Sequence, residues 1–485
     1  MEMENNLMKR NTILLVLLLL MLALSACGNS ATNETEPTLL PVSENGFRDS
    51  LIEDAVFKCF DRFEENGIQN INFDSVTSIS IDEGDFEIEL NDDLSTEIDF
   101  EFTELKTLED MKLFPNLMHF EVGELDILHA NQMFEKSQPI ESISISEINF
   151  GKDTTKNLNV FFKNISPREI KVVFVDGFDF KWINDYEKLE DLFLISDNAR
   201  NQDLIQKCLN IKDVYISTEE DVDLAWFSEL TEIKRLGLMD PKGKVYDIAL
   251  IKDLIQLEDL DLYNAPIKNI DDLYGFTKLE SLELEGCQLK GHFKLDTFVN
   301  LTNLNLFANE IESIDMLPPN EFESIEVSFN KISDFSFLNQ IKEVEEIRME
   351  SNPVKDLSPL GSLHGIEDLY IDDVDAVDLS PLSGLTDLET LDISMTKAKE
   401  FDFLKQMVSI RELRMNDSNL KKLPDLSSLT ELRVLELSNN SIKNIDALTQ
   451  FEYLETVDLS GNPIEKGFNP DNYAFDVWFD SLIVN

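Results

Sequence analysis

The chain has 485 residues, 42% of them apolar, and 96 Asp and Glu against 41 Lys and Arg give a formal net charge of −55. That balance argues against direct binding to a nucleic-acid phosphate backbone and against electrostatic adsorption to an anionic bilayer. It steers cationic partners toward the surface and equally serves plain solubility, while the apolar content rules out wholesale disorder.

The amino terminus reads as an address. Lys9-Arg10 precede an apolar run of 12 residues from Ile13 to Leu24, closed by Leu24-Ser25-Ala26-Cys27-Gly28. A basic head, a short apolar core and small residues before a cleavage point build a secretory signal. Spanning a bilayer takes about 20 residues. The Leu-Ser-Ala-Cys ending resembles a bacterial lipobox. That resemblance implies diacylglycerol on the Cys27 sulfur, cleavage before it, and membrane attachment through this lipid alone. A soluble secreted product or an uncleaved anchor is the plainer alternative. Residues 1–26 are then the signal peptide, and 27–45, polar with Pro37 and Pro41, a flexible tether. The expected location is the extracytoplasmic face of a cell membrane, on a Gram-positive-type surface.

From Phe47 to Phe63, the apolar residues Leu51, Ile52, Ala55, Val56, Cys59, Phe60 and Phe63 recur at helical spacing. This predicts an amphipathic helix, within a cap of residues 46–74, covering the open end of a core. Ile79-Ser80-Ile81 and Phe86-Glu87-Ile88-Glu89-Leu90 alternate with period two, as strands do, and read as a first repeat plus a divergent pair. Through 75–256, large apolar residues open units at Leu117, Ile140, Ile170, Leu189, Ile211 and Ile233, at spacings of 23, 30, 19, 22 and 22, then 24 to Leu257. Their strand triplets include Ile143-Ser144-Ile145, Val173-Phe174-Val175, Leu192-Phe193-Leu194 and Val214-Tyr215-Ile216. The expectation is a continuous sheet with irregular turns. The uneven spacing reflects drift or loops recruited for binding.

Over 257–465 the pattern is regular. Units open at Leu257, Leu279, Leu301, Phe322, Val344, Ile366, Leu388, Ile410, Leu432 and Leu454, 22 residues apart except for 21 between Leu301 and Phe322. Apolar slots follow at offsets 3, 5, 10, 13, 16 and 19, and the offset-16 slot is always Leu, from Leu273 to Leu448. Such a period means stacked units, none of which buries its apolar face alone. Each opening segment alternates with period two, so copies one unit apart pair in parallel. At offset 8 stand Asn309, Asn330, Asn352, Asn440 and Asn462, with Cys287, Thr396 and Ser418 in the same column. A stacked amide, donor and acceptor together, satisfies backbone groups where the chain leaves the strand. At offset 14, Asp271, Asp315, Ser336, Ser358, Ser380, Asp402 and Asp446, with Pro359 and Pro381 following, read as N-caps of short helical or 3₁₀ turns.

Leu432-xx-Leu435-x-Leu437-xx-Asn440-x-Ile442 resembles the leucine-rich repeat. The 22-residue length and the turns Asp356-Leu357-Ser358-Pro359-Leu360 and Asp378-Leu379-Ser380-Pro381-Leu382 are similar to the internalin-like bacterial subclass. The resemblance implies an α/β solenoid: a right-handed superhelix with a continuous parallel sheet on its concave face, short turns on its convex face and a helical N-terminal cap. It also implies a concave sheet that binds another macromolecule, with no catalytic site and no cofactor. Residues 466–485 break the period with Phe468, Tyr473, Phe475, Trp478 and Phe479, and read as a terminal lid or a sticky exposed peptide.

Strand geometry names the exposed concave residues at offsets 2, 4 and 6. The binding candidates are Asp261, Tyr263, Glu283, Glu285, Asn305, Phe307, Glu326, Arg348, Tyr370, Asp392 and Arg414. The offset-4 row is extended upstream through Phe174, Phe193 and Tyr215. An acidic strip with interspersed aromatics suits a basic, partly apolar protein or peptide, with Tyr263, Phe307 and Tyr370 as central anchors. Arg348 and Arg414 are either paired internally or read acidic groups. Plain solvated sheet surface explains any one of these residues singly. His119, His129, His292 and His364 show no metal-ligand spacing, and His292 occupies an offset-13 core slot. No nucleophile elbow, phosphate loop or EF-hand is present. Cys59 and Cys287 read as buried fillers, and three cysteines besides Cys27 imply no disulfide framework. The reading is therefore a monomeric, lipid-anchored protein-binding scaffold, for adhesion or envelope assembly. An envelope hydrolase with an unrecognised site and a passive spacer remain the alternatives.

Overall fold

The computed structural model describes residues 43–464, apart from short stretches of which 148–161 is the longest, together with strand Asp476–Trp478. The Cys27 motif, the tether up to residue 42 and most of the aromatic C-terminal segment lie outside the described residues.

The predicted cap helix, α1, runs Ser50–Glu65 and buries Ile52, Ala55, Val56, Cys59 and Phe63. Asp49 caps it, accepting from the Leu51 amide at 2.9 Å. Asp110 in turn accepts from the Arg48 and Asp49 amides, each at 2.7 Å, so a carboxylate 61 residues downstream holds the helix entrance. Burial pushes Asp110 up to about 6 despite these bonds. The divergent pair is an antiparallel meander of β1 (Val76–Ile81), β2 (Asp85–Leu90) and β3 (Leu94–Asp99), packed under α1. β1 then pairs in parallel with His119–Gly123, which starts the stack.

From there each unit adds one parallel strand, and among the described residues the main sheet has 20 strands. Equivalent residues are in register from unit to unit: Leu260, Leu282, Leu304, Ile325, Ile347, Leu369, Leu391, Leu413, Leu435 and Val457 form one file. These residues point inward, and with the offset-16 leucines they form a core in which all are essentially inaccessible. Strand Asp476–Trp478 continues the sheet beyond Thr456–Asp458.

The Asn column works as expected. The Asn352 amide donates to Val327 O (2.9 Å) and Met349 O (3.2 Å), and its oxygen accepts from Ile332 N (3.0 Å). Asn309, Asn330, Asn440 and Asn462 repeat this bridge between a unit and its predecessor. The three cysteines at 59, 208 and 287 are free and buried.

Four expectations need correction. The turns are 3₁₀ helices, for example Ser336–Gln340, Ser380–Gly384 and Asp446–Gln450, but the offset-14 residue is their first residue rather than their cap. The capping oxygen comes from offset 12. Asp334, Asp356 and Asp378 each accept at 2.9 Å from the backbone amide two residues on, and Asn444 does so at 3.0 Å. A carboxylate reaches back over a tight Asx turn more readily than the first turn residue reaches its own backbone.

Second, the strand after Ile143-Ser144-Ile145 is Ile170-Lys171-Val172. Its opener is therefore Pro167, and the spacings of 30 and 19 become 27 and 22. Val173 and Val175 mimic the pattern three residues late. The largest departure from 22 thus falls in one unit, between Ile140 and Pro167. Third, the upstream turns at Phe180–Trp182, Leu224–Phe227 and Ile248–Leu250 are regular 3₁₀ turns capped by Asp179, Asp223 and Asp247. Finally, His292 is exposed, because the edge strand Lys290–Phe293 shifts register at Gly291 and turns Phe293 inward instead. His292 bonds Ser313 Oγ at 2.8 Å and Asp315 at 2.9 Å.

Candidate binding face of the sheet

A strand whose alternate residues are buried presents the intervening ones on the other side. The offset-4 residues form one uninterrupted cross-strand row on that outer face: Glu121, Ser144, Lys171, Phe193, Tyr215, Gly237, Asp261, Glu283, Asn305, Glu326, Arg348, Tyr370, Asp392, Arg414, Glu436 and Asp458. The structure thus aligns the candidates from Asp261 to Arg414 in the order expected. Lys171 takes the place assigned to Phe174, which lies beyond the strand with φ 53°.

The upstream part of the face is aromatic. Phe193 stacks on Tyr215 with ring centroids 4.7 Å apart and planes 10° apart. The Tyr215 ring lies over Gly237, where a Cβ would come within 2.5 Å of it, so only glycine fits beneath that ring. One rung on, Asp261 and Tyr263 are 4% and 5% exposed, which corrects their reading as exposed residues of this face and that of Tyr263 as an anchor. The Tyr263 hydroxyl donates to Glu283 Oε2 and is spent on that carboxylate.

Arg348 and Arg414 are paired internally. The Arg348 guanidinium sits 3.8 Å above the Tyr370 ring, and Arg414 lies 6.0 Å from the same ring on its other side. Arg348 bonds Glu346 and lies 4.0 Å from Glu350, while Arg414 bonds Glu412 and, at 3.2 Å, Glu436. Tyr370 is therefore clamped rather than free.

Carboxylates at this face are crowded by neighbours of like charge and by partial burial. Burial, then Glu350 nearby, pushes Glu326 up to about 8, although it accepts from Ser328 N at 2.6 Å. Burial, Asp392 and Glu350 push Asp372 up to about 7. Glu285, Glu350 and Asp392 are raised as well, chiefly by burial. Among the described residues, no group of three or more His, Cys, Asp and Glu side chains is arranged to hold a metal ion.

One feature of the face escaped sequence reasoning. The residue at offset 7 of nearly every unit is left-handed: Glu147, Phe174, Asn264, Gly286, Ala308, Phe329, Ser351, Asp373, Met395, Asp417, Asn439 and Gly461 have φ between 48° and 73°. That turn lets the amide after the strand still donate to the next unit, as Phe329 N does to Glu350 O at 2.9 Å. Gly, Asn and Asp at six of these positions were the legible signal. The bulky exceptions hid it, and Phe329 is one of them, 52% exposed and edge-on to Phe307 at 5.1 Å.

Residues 430–468 match the family model described as leucine-rich repeats (2 copies). With the strand register and the 22-residue period, that makes the fold a leucine-rich-repeat solenoid. No curated protein sequence matches the chain. Among solved structures, the chain is similar to an internalin (inlF) of Listeria monocytogenes at 16% identity, covering 73% of this chain and 89% of that one, TM-score 0.45. It is similar to a leucine-rich-repeat protein of Leptospira interrogans at 19%, covering 73% and 86%, TM-score 0.49. It is also similar to the functional domain of InlJ from Listeria monocytogenes at 15%, covering 86% and 80%, TM-score 0.46.

Proposed function

We propose that this chain is a lipid-anchored scaffold at the outer face of a cell membrane, and that it binds a basic protein or peptide through the open, concave face of its sheet. The observation that carries the reading is the row from Glu121 to Asp458. A solenoid that needed only a core would leave this face indifferent. Here it holds stacked aromatics, clamped arginines and carboxylates kept partly out of water, a mixture suited to a polar rim around aromatic anchors. The lipid at Cys27 supplies attachment, and adhesion or envelope assembly is the role.

Crosslinking capture tests the binding face, comparing the intact chain with a version carrying Glu283→Lys, Glu326→Lys and Asp392→Lys. Partners recovered with the intact chain are lost with the charge-swapped one. Recovery of the same partners by both would remove the concave face from the account. Cys27→Ala should shift the protein from the membrane fraction to the soluble one, and unchanged fractionation would end the lipid anchor.

A further inference from the structure

Phe329 is an oddity that folding alone does not require. Its backbone is left-handed at φ 55°, a conformation unfavourable for a bulky side chain, while its neighbours in the column at 286 and 308 are Gly and Ala. Its ring is half exposed and rests edge-on against Phe307. Phe174 and Met395 share the left-handed backbone and the exposure, but among the described residues only Phe329 of the three rests on a second ring, which gathers exposed aromatic surface at one place.

The surroundings say what kind of partner. Glu283 pairs across the strands with Asn305, so Glu285 lies one rung before Phe307 at the same level. On the far side Ser328, next to Phe329, gathers two carboxylates: its amide donates to Glu326 and its hydroxyl to Glu350. Glu326 carries no ion pair among the described residues, nor does Glu285. Two rings framed by half-desolvated carboxylates attract a flat cation. The same face shows what the filled arrangement looks like. Arg348 lies 3.8 Å over the Tyr370 ring with Glu346 and Glu350 at its edges. At Phe307 and Phe329 the ring and the acids are present, and the cation has to come from outside.

We propose that the Phe307–Phe329 pair, framed by Glu285, Glu326 and Glu350, receives the guanidinium of an arginine carried by the partner protein. This rests on the concave-face reading and adds to it a residue-level specificity. A planar guanidinium stacks on a ring and bonds flanking carboxylates at once, whereas an ammonium is a compact, strongly hydrated charge. Arginine is therefore preferred over lysine here.

The test uses the full-length chain and a fluorescein-labelled decapeptide of alternating glycine and arginine, with lysine and citrulline counterparts. Binding is followed by anisotropy at about 0.15 M salt, where long-range attraction is screened. The arginine peptide should bind best and the citrulline peptide worst. Phe329→Ala should weaken the arginine peptide about fivefold, the loss of one cation–π contact, with a smaller loss for lysine. Ala308 shows that alanine is accommodated in this backbone position. Phe329→Trp should retain binding, and Glu285→Gln should weaken it. Arginine and lysine peptides that bind alike and ignore Phe329→Ala would reduce the effect to bulk charge and overturn the proposal, as would no binding of the arginine peptide. If captured partners are lost on the charge swap but not on Phe329→Ala, the arginine pocket fails while the scaffold stands. If neither change releases them, the concave-face reading itself fails.

Discussion

The two halves of the solenoid bridge their units in different ways. Downstream, Asn309, Asn330, Asn352, Asn440 and Asn462 stand at one repeating position and join each unit to its predecessor. Upstream, that column carries residues such as Val175, Asp197 and Glu219, and amide side chains act elsewhere. Gln138 Nε2 donates to Met111 O and Phe114 O, both at 2.8 Å, and Asn184 Nδ2 to Phe162 O and Ile165 O, both at 2.6 Å. The cores differ in the same direction. The downstream half stacks leucines, whereas the upstream half packs Phe162, Phe178, Phe180 and Trp182 edge to face, with a second aromatic cluster around Phe47, Phe73 and Phe114. A stack of units needs its inward carbonyls satisfied at every step. Which side chain does so, and from where, is negotiable.

Substitutions at the bridging side chains measure how far the two halves differ. The largest effect should come from Asn352→Ala, which leaves Met349 O and Ile332 N buried without a partner and Val327 O with Asn330 alone. A loss of about 4 kcal/mol in urea denaturation is expected, and a loss below about 1 kcal/mol would show that the column is decorative. Asp110→Ala, which strips the Arg48 and Asp49 amides at the cap, should cost about 3 kcal/mol and expose α1 first in hydrogen exchange. Global unfolding without early loss of α1 would contradict that order. Gln138→Ala, removing one donor group from two carbonyls, should cost about 2 kcal/mol. If it equals Asn352→Ala, the halves are bridged equally well.

The acidic face makes stability depend on pH. Glu326 and Asp372 sit at about 8 and about 7 in the folded chain, against about 4 for carboxyls in an unfolded one. Between these values the folded state binds more protons, so stability is highest on the acid side and falls as pH rises through 7 to 8. Asp191, raised to about 7 by burial and by Asp213 on the next strand, adds to the same slope. The melting temperature should therefore drop between pH 5 and pH 8, and Glu326→Gln should flatten the change. A rise over that interval would reverse the sign.

Much of this was legible in advance. The repeat period, the inward rows, the Asn bridges, α1 and the order of the acidic face all followed from spacing, because burial in a solenoid repeats with the unit. The register of one unit did not: Val173 and Val175 satisfy the apolar pattern as well as Ile170 and Val172 do, and only pairing with Ser144 and Phe193 selects Lys171 for the outer face. The offset-12 caps were missed because Ser-Pro at offset 14 offered a stronger local signal. Glu285, Phe307 and Glu326 were visible as candidates, but Phe329 was not, since it stands at offset 7, outside the offsets 2, 4 and 6 that strand alternation exposes.

The chain's own residues determined that identical segments stack in parallel and which of their side chains turn inward, since periodic burial is written in apolar spacing. Tertiary structure alone decided which outward residues stay available. Tyr263 is consumed by Glu283, Tyr370 is clamped between Arg348 and Arg414, and Phe329 is left in the open. Those outcomes depend on contacts between neighbouring units, where side-chain length and backbone twist set who meets whom, and a one-dimensional pattern does not encode that meeting.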